Sequence, residues 1–325
     1  DIAKTLNYRQ SVTPQGWDSY LFASYYFNGK KVYNLKNLGM TSASYKVQSL
    51  KVNPAGSSYA VLSSNGKSWA LDVYDLRSVD KQIYSFPKGY EARAVCYSAD
   101  SKNLIVANAY GSLGFFNTRN YQFGGDMSID FVPSEMTASS NGYFLALAKD
   151  NGVVIVNVEA KTVRQTISVP GRVDCVAFSP DASSLGVLSG GTLNIYNTAD
   201  FQLDKTLDGL DGATSFAFHP ENKYVCVAQG GNRITFHNLY DKLDSGTIME
   251  PRGLVSNVRY VSDAKHQNYL VYNTNKALCY RIVKGLKPNY ARLMRDELNA
   301  RMMEWCKRGD NETDEQYNER VSEVA

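Results

Sequence analysis

Short runs of apolar residues recur along most of this chain, separated by polar or glycine-containing turns. Such short runs suit buried strands better than helices, which need ten or more residues. The six clearest runs are Tyr59–Leu62, Leu104–Ala107, Phe144–Ala148, Leu185–Leu188, Tyr224–Ala228 and Tyr269–Tyr272. Turn pairs that supply the positive φ of tight hairpins follow several of them, at Asn65-Gly66, Asn151-Gly152, Gly190-Gly191 and Gly230-Gly231. The pattern predicts an all-β structure of short antiparallel strands.

A four-residue turn signature occurs seven times along the same region. It reads TPQG at 13–16, NPAG at 53–56, SADS at 98–101, SSNG at 139–142, SPDA at 179–182, HPEN at 219–222 and VSDA at 261–264. The second residues of successive signatures lie 40 to 45 positions apart. A fixed period of this length is typical of β-propeller blades. The sequence therefore predicts a seven-bladed β-propeller over residues 1–284.

The end of the third strand in each repeat carries a family resemblance. There an aromatic, aliphatic or histidine residue precedes Asp or Asn, at Tyr74-Asp75, Phe116-Asn117, Val156-Asn157, Tyr196-Asn197 and His237-Asn238. The repeat resembles the WD40 family, whose third strand commonly ends in Trp-Asp, although the usual Gly-His pair is missing. Trp17-Asp18 is not an instance, because alignment of Pro14 with Pro54 places it just after a turn. The resemblance covers about residues 6–283 and implies a fold without naming a partner.

The seventh repeat supplies three strands, at about 256–261, 267–274 and 277–283, before the pattern changes. Native proteins usually cover or pair an exposed strand edge. We therefore expect the outer strand of this blade to come from the N-terminus, near Ile2–Leu6, and to latch the ring.

After Lys284 the apolar spacing changes from two residues to about 3.6, which predicts helix. One helical face would carry Tyr290, Leu293, Met294, Leu298, Met302, Trp305 and Cys306. Thr313 to Gln316 then form a capping box that starts a second helix. The sequence predicts a helical hairpin over residues 285–325 that packs on the propeller or on a C-terminal region beyond Ala325.

This hairpin carries a second resemblance. It is similar to a W-x-K-x-G-x-x-E-T…Y-x-x-R-V segment, matched here by Trp305, Lys307, Gly309, Glu312, Thr313, Tyr317, Arg320 and Val321. Similar segments occur in exported or envelope proteins of Gram-negative bacteria, whose function is largely uncharacterised. The resemblance implies a periplasmic or envelope location, with the cytoplasm as the alternative. A generic charged hairpin is the other interpretation of these residues.

Composition and charge limit the classes of partner that the chain could bind. Hydrophobic residues make up 43% and charged residues 21%, which is ordinary for a globular protein. No apolar run approaches the 18 or more residues of a membrane-spanning helix. The net charge is +3, from 35 basic and 32 acidic residues, and it forms no basic cluster suited to nucleic acid. We expect a protein or peptide partner, with no nucleic acid and no membrane span.

Residues suited to catalysis are few and scattered. The five cysteines form no CxxC pair and only three histidines occur, so we expect buried, structural cysteines, no metal and no cofactor. His219 and His237 occupy repeat positions and His266 lies in an insertion, which favours structural roles. A lactonase-like propeller hydrolase or a small-ligand sensor is the alternative. The hydrolase would need polar side chains that converge on the axis, where first-strand positions are mostly Val, Ala, Ser and Phe.

The function that the sequence favours is a non-catalytic interaction platform. In the WD40 family, one face of the disc carries the loops between blades and the loops from second to third strands. The corresponding residues here are Tyr90, Tyr110, Asp130, Lys149, Arg172, Asp211 and Arg252. Tyr and Arg are enriched at binding hot spots, which makes these positions candidates for partner binding. Ordinary solvated loops are the alternative for each.

Overall fold

The computed structural model of the chain describes residues 2–13, 16–27, 30–37, 46–76, 81–221, 224–239, 247–249, 253–262, 268–274, 278–282, 290–309 and 312–322. Within them, antiparallel pairing joins the strands into seven sheets, and two helices follow. In each sheet the strands lie side by side in chain order, as successive hairpins produce.

The first sheet contains β1 (Ile2–Thr13), β2 (Gly16–Phe27) and β3 (Lys30–Asn37). The second contains β4 (Lys46–Val52), β5 (Ser58–Ser64), β6 (Trp69–Asp75) and β7 (Gln82–Ser85). The third contains β8 (Ala92–Tyr97), β9 (Asn103–Asn108), β10 (Ser112–Asn117) and β11 (Phe123–Ser128). The fourth contains β12 (Glu135–Ala138), β13 (Phe144–Lys149), β14 (Gly152–Asn157) and β15 (Thr162–Ser168).

The fifth sheet contains β16 (Val173–Phe178), β17 (Ser184–Ser189), β18 (Thr192–Asn197) and β19 (Leu203–Leu207). The sixth contains β20 (Ala213–Phe218), β21 (Tyr224–Gln229), β22 (Arg233–Asn238) and β23 (Thr247–Met249). The seventh contains β24 (Val255–Ser262), β25 (Asn268–Thr274) and β26 (Leu278–Ile282). The predicted all-β class is therefore confirmed, whereas the number of blades in a closed ring stays a prediction.

The N-terminal segment lies in the first sheet and not beside the seventh, so the expected latch is wrong. β1 pairs with β2 in one uninterrupted register, from Thr13 opposite Gly16 to Ile2 opposite Phe27. A hairpin between neighbouring segments closes a short loop, whereas the latch would join the two ends of the propeller at a larger entropic cost. Trp17 pairs with Val12 directly after the turn, so Trp17-Asp18 begins a second strand, as the alignment predicted.

The core lies between successive sheets. The first strands β4, β8, β12, β16, β20 and β24 contact one another in that order. One buried cluster joins Leu62 and Val73 of the second sheet to Val95 and Val106 of the third. Because both faces of a middle strand are covered, every residue of β5 and β21 is buried. This stacking of sheets through their faces is the arrangement of propeller blades.

In three of the repeats, the turn signature is held together by a buried serine. Ser98 Oγ donates a hydrogen bond to Asp100 Oδ1 at 2.6 Å and accepts one from the N–H of Asn103 at 2.9 Å. Ser139 and Ser179 make the same pair of bonds in the fourth and fifth sheets. Side-chain bonds of this kind stabilise a turn locally. In the third, fourth and fifth sheets, the first residue of the signature therefore satisfies backbone and side-chain groups of its own turn.

The Asn that stands for the family's Asp organises the next turn. Asn117 Oδ1 accepts the N–H of Arg119 at 2.9 Å, and Asn197 Oδ1 accepts that of Ala199 at the same distance. The fourth residue after each Asn then adopts a positive φ, at Tyr121 (56°), Lys161 (51°) and Phe201 (57°). These three residues are thus equivalent positions of successive repeats.

The helical hairpin consists of α1 (Tyr290–Trp305) and α2 (Asp314–Ser322). The predicted capping box is confirmed at the start of α2. The N–H of Thr313 donates to Gln316 Oε1 at 3.1 Å, and the N–H of Gln316 donates to Thr313 Oγ1 at 3.3 Å. The boundary predicted at residue 284 lies outside the described residues and stays a prediction.

The described side chains on the predicted apolar face of α1 are exposed, apart from that of Trp305, which is partly buried. Met294, Leu298 and Met302 are 73%, 59% and 49% exposed, so they do not pack on the described part of the sheets. Cys306 lies just beyond the last helical residue and is exposed, which corrects its assignment to a buried stripe. The reason is local, because α1 ends at Trp305 and the chain then turns toward α2.

Candidate functional site

The sheets present two different faces at their strand ends. Because the strands are antiparallel, the turns from second to third strands and the connections from one sheet to the next lie at the same end. Backbone hydrogen bonds join these two sets of loops: Ile129 N–H to Gly111 O at 2.7 Å, Val169 N–H to Asn151 O at 3.0 Å, and Leu210 N–H to Gly191 O at 2.9 Å. We call this end the connection face and the opposite end, which carries the repeated signatures, the signature face.

Two glycines on the connection face form a tight hairpin turn. Gly190 and Gly191 have φ values of 56° and 80° and join β17 to β18 in a two-residue turn. Both values lie in the left-handed region that glycine enters without a side-chain clash. The predicted hairpin role of this pair is therefore confirmed.

Tyr110 and Asp130 are neighbours on the connection face. Tyr110 lies in the turn between β9 and β10 and is 73% exposed, while its N–H donates to Asn108 Oδ1 at 3.0 Å. Asp130 is exposed and follows Ile129, whose N–H is bound to the residue after Tyr110. The fixed backbone thus holds an exposed tyrosine beside an exposed carboxylate.

Lys149 extends the same surface into the fourth sheet. Its Nζ lies 5.8 Å from the ring centroid of Phe131, in the connection that also carries Asp130. Arg172 and Asp211 are exposed in the next two connections, between β15 and β16 and between β19 and β20. Five of the seven predicted residues therefore lie on one face, each held by a different loop. Arg252 lies outside the described residues.

Tyr90 differs from the other predicted residues because its side chain is half-buried. It ends a single 3₁₀ turn (Lys88–Tyr90), and its hydroxyl donates to the carbonyl of Val106 at 3.3 Å. Burial, together with the nearby Asp126 carboxylate, raises the pKa of its phenol to about 12. Tyr90 therefore packs between the second and third sheets, against Val106 of β9 and Phe116 of β10, and does not project from the connection face.

The connection face mixes both charge signs with isolated apolar side chains. Beside the residues above, Val132 is 44% exposed and Leu254 is 57% exposed. Surfaces that bind proteins commonly combine an aromatic or apolar centre with a polar rim. This composition suits a protein partner better than a small metabolite, which needs an enclosed pocket.

Charged residues on the first strands are a feature that the sequence interpretation missed. Lys51 Nζ on β4 donates to the carbonyl of Met136 on β12 at 3.2 Å. Burial raises the pKa of the Cys175 thiol to about 12; the Glu135 carboxylate adds to this, and the charges of Arg259 and Lys51 oppose it. Side chains from three other sheets, the second, the fourth and the seventh, therefore act on one protonated thiol. The expectation of mainly small and apolar first-strand positions overlooked them because they alternate with buried residues.

The histidines have structural partners, as the repeat positions indicated. His219 is 8% exposed, its Nδ1 accepts the N–H of Glu221 at 3.2 Å, and its ring packs on Tyr224 with centroids 4.3 Å apart. His237 Nε2 lies 2.9 Å from Thr235 Oγ1. Within the described part of the chain, no group of three or more His, Cys, Asp or Glu side chains could hold a metal ion. His266 lies outside it.

Among the described residues, no helix is long and apolar enough to cross a membrane.

Cys96 and Cys226 are buried, as predicted, and burial raises the pKa of each thiol to about 12.

Comparison with known proteins supports the propeller assignment. No family model matches the chain. An uncharacterised WD repeat-containing protein of Synechocystis is 31% identical over 144 residues, which are 42% of this chain and 41% of that protein. Pre-mRNA-processing factor 19 homolog 2 of Arabidopsis thaliana is 26% identical over 197 residues, which are 57% of this chain and 36% of that protein. The chain thus spans less than half the length of these relatives.

Two solved structures have a similar fold. A chain of the mitotic checkpoint complex superposes with a TM-score of 0.67 at 17% identity, covering 87% of each chain. A chain of Kuenenia stuttgartiensis hydrazine synthase gives a TM-score of 0.57 at 16% identity, covering 69% of this chain and 72% of the other. At such identities the likeness concerns the fold alone. The chain therefore has a β-propeller fold similar to that of WD repeat proteins, and helices follow it toward the C-terminus.

Proposed function

We propose that this chain is a non-catalytic interaction platform that binds a protein or peptide through its connection face. One observation carries the proposal. Tyr110 is 73% exposed on a backbone fixed by hydrogen bonds, beside the Asp130 carboxylate and next to the loops that hold Phe131 and Lys149. A rigid, exposed aromatic side chain ringed by charges is the usual form of a binding hot spot.

The WD repeat relatives support a general role in protein interaction, and the mixed charges suit a polar rim. The signature face is a poorer candidate, because its Ser and Asp side chains are already committed to the turns. A preformed surface also binds at a lower entropic cost than a loop that must first be ordered.

A pair of tyrosines on opposite faces allows a matched test. Tyr110 lies on the connection face, and Tyr143 lies on the signature face and is 60% exposed. Each would be replaced in turn by the photo-crosslinking residue benzoylphenylalanine, and the protein irradiated in an extract of its source cells. We expect defined protein adducts from position 110 and none from position 143. Equal adducts from both positions, or adducts from position 143 alone, would contradict the proposal.

We also propose that the seven sheets are seven blades of one ring. The constant repeat period and the sequential contacts of the first strands support this count. A density map of the protein viewed along its axis should show seven sectors; six or eight sectors would refute the count.

We propose a periplasmic or envelope location on the strength of the hairpin resemblance. Fractionation of the source bacterium should recover the protein with periplasmic or envelope markers. Recovery with cytoplasmic markers alone would refute this location and leave the binding proposal standing.

A further inference from the structure

The outer edge between the second and third sheets contains a groove lined by aromatic side chains. We call it the aromatic groove, formed by Tyr84, Phe86, Tyr90, Phe116, Tyr121 and Phe123 together with Pro87, Asn120 and Gln122. Its volume is about 560 Å³. Tyr84 stacks on Tyr121 with ring centroids 4.7 Å apart, and Phe86 meets Phe116 edge-on at 4.8 Å. At the opening, Phe123 is 59% exposed.

The neighbouring repeats show that the fold does not require two of these rings, those of Tyr84 and Phe123. Strand register makes Tyr84 equivalent to Gln165 and Lys205, because each faces the residue before the last aromatic or aliphatic position of its third strand. By the same register, Phe123 is equivalent to Val163 and Leu203. Other sheets therefore carry aliphatic or polar residues at these two places, so Tyr84 and Phe123 are aromatic additions at this gap.

The chemistry of the groove suits an extended, proline-containing chain. Flat aromatic walls pack against proline rings, and a polyproline II segment keeps its carbonyls outside and unbonded. Tyr84 and Phe86 stand perpendicular, at 90° with centroids 5.0 Å apart. Phe86 is buried at the base of the groove, so the ring surface open to a ligand comes from the partly buried Tyr84 and Tyr90 and the exposed Phe123. Among the described residues, neither the Tyr84 hydroxyl nor the Gln122 Nε2 donates to a protein acceptor, so both can donate to ligand carbonyls.

The charges near the groove further limit the chemistry of its ligand. Lys88 adjoins Pro87 and Arg119 adjoins Asn120, and both basic residues are exposed. Neither forms an ion pair with a carboxylate in the described part of the chain. The Asp126 carboxylate also lies near the groove, since it contributes to the raised pKa of Tyr90. Acidic residues of an occupant are therefore favoured beside Lys88 and Arg119 and disfavoured beside Tyr90.

We propose that the aromatic groove binds an extended, proline-containing segment of a partner protein whose prolines are flanked by acidic residues. The site lies on the outer edge of the sheets. Of the described residues predicted for the connection face, it involves Tyr90 alone, so it does not depend on the proposed function.

The direct test is fluorescence anisotropy with a fluorescein-labelled peptide of six prolines flanked on each side by two glutamates. The variant Tyr84→Gln with Phe123→Val installs residues that equivalent positions already carry, so the fold should tolerate it. We expect saturable binding by the full chain and a dissociation constant at least about tenfold higher for the double variant, as for hot-spot truncation. Leu203→Val, a matched change at the equivalent position of the fifth sheet, should leave binding unchanged.

Two further peptides separate the contributions of the rings and the charges. Replacing the prolines by alanine should abolish binding, and replacing the glutamates by lysine should weaken it several-fold. Tyr110→Ala should bind the proline peptide like the unaltered chain, which distinguishes this site from the connection face.

Several results would overturn the proposal. They are the absence of saturable binding to the unaltered chain, equal binding by the double variant, and equal binding of the alanine peptide. A dimer detected by sedimentation and lost in the double variant would show that a second copy covers the groove instead. Circular dichroism must confirm folding of the double variant, and Phe123→Val alone serves as the test if it does not fold.

Discussion

The propeller sheets and the C-terminal hairpin are each stabilised by a different kind of interaction. In the sheets, strands such as β5 and β21 are buried along their whole length, and apolar contacts between sheets supply the stability. In the hairpin, α2 contains no buried residue, and charged groups join the two helices. One side chain, Arg320, contacts both sides of the hairpin turn.

Arg320 forms a two-point ion pair with Glu312, with N–O distances of 2.7 and 2.8 Å. It also donates to the backbone carbonyls of Trp305 and Lys307, where α1 ends and leaves carbonyls without helical partners. Its guanidinium lies 5.3 Å from the centroid of the Trp305 ring. Planar, two-point geometry of this kind is a property of Arg that Lys cannot reproduce.

The comparison teaches that recognisable residues need not be binding residues. In the sheets, the repeated Ser and Asn side chains satisfy the turns. In the hairpin, Glu312 also accepts the N–H of Gly309 at 3.1 Å, and Tyr317 donates to the carbonyl of Cys306 at 3.2 Å. Both motifs are thus used to hold the backbone. The candidate binding side chains, such as Tyr110 and Phe123, lie between the motif positions.

The largest effect should follow from a cavity between sheets. Phe236 is 1% exposed, so Phe236→Ala should lower the free energy of unfolding by about 3–5 kcal/mol, as buried Phe deletions do. Urea denaturation followed by circular dichroism measures it. Tyr110→Ala, on an exposed side chain, should change it by no more than about 0.5 kcal/mol. Similar losses for the two variants would contradict an apolar core between the sheets.

The next effect should come from a signature serine. Ser179 is 2% exposed, and Ser179→Ala leaves the N–H of Ser184 without its hydroxyl acceptor. Loss of such a buried partner should cost about 1–3 kcal/mol in unfolding free energy. Ser168→Ala, on an exposed serine of β15, is the control and should be neutral in the same urea titration. A neutral Ser179→Ala would show that the signature has another role.

A smaller and local effect should follow from Arg320→Lys. Loss of the two-point pair should increase amide hydrogen exchange in α2 several-fold while the urea midpoint of the sheets stays unchanged. Arg301→Lys, whose ion pair with Glu297 is exposed, is the matched control and should not alter exchange. A lowered midpoint for the sheets would show that the hairpin and the propeller unfold together.

The pH dependence of the hairpin should be the smallest effect near neutrality. Hydrogen bonds from Arg320 hold the pKa of Glu312 at about 2, below its ordinary value. A lowered folded-state pKa stabilises fully above the unfolded pKa, and this contribution is lost as the pH falls toward 2. Carboxyl NMR should therefore show Glu312 still ionised at pH 4. Titration at its ordinary pKa would contradict the pairing.

The turns and caps could be predicted from the sequence because their hydrogen bonds are local. Ser98 and Asp100 are two residues apart, and Thr313 and Gln316 are three apart, so spacing alone predicts each bond. The aromatic groove could not be predicted in this way. Tyr84 and Tyr121 come from different sheets, and their stacking depends on how those sheets pack.

The predictions that failed also concern contacts between residues that are far apart in the sequence. The N-terminal latch was a long-range pairing, and a competing hairpin between β1 and β2 took its place. The charged residues near Cys175 come from separate repeats. In the sequence, each of them is indistinguishable from an ordinary solvent-exposed strand residue. The apolar spacing of α1 predicts a helix correctly, but periodicity does not determine what packs on its apolar face.

The most direct test of the account measures the affinity of a crosslinked and identified partner for three variants of the full chain. Calorimetric titration would compare Tyr110→Ala on the connection face, Tyr143→Ala on the signature face and Arg320→Ala in the hairpin. We predict a dissociation constant raised at least about tenfold for Tyr110→Ala. The other two variants should stay close to the unaltered chain. An unchanged affinity for Tyr110→Ala, with binding lost in Arg320→Ala or Tyr143→Ala, would contradict the central claim.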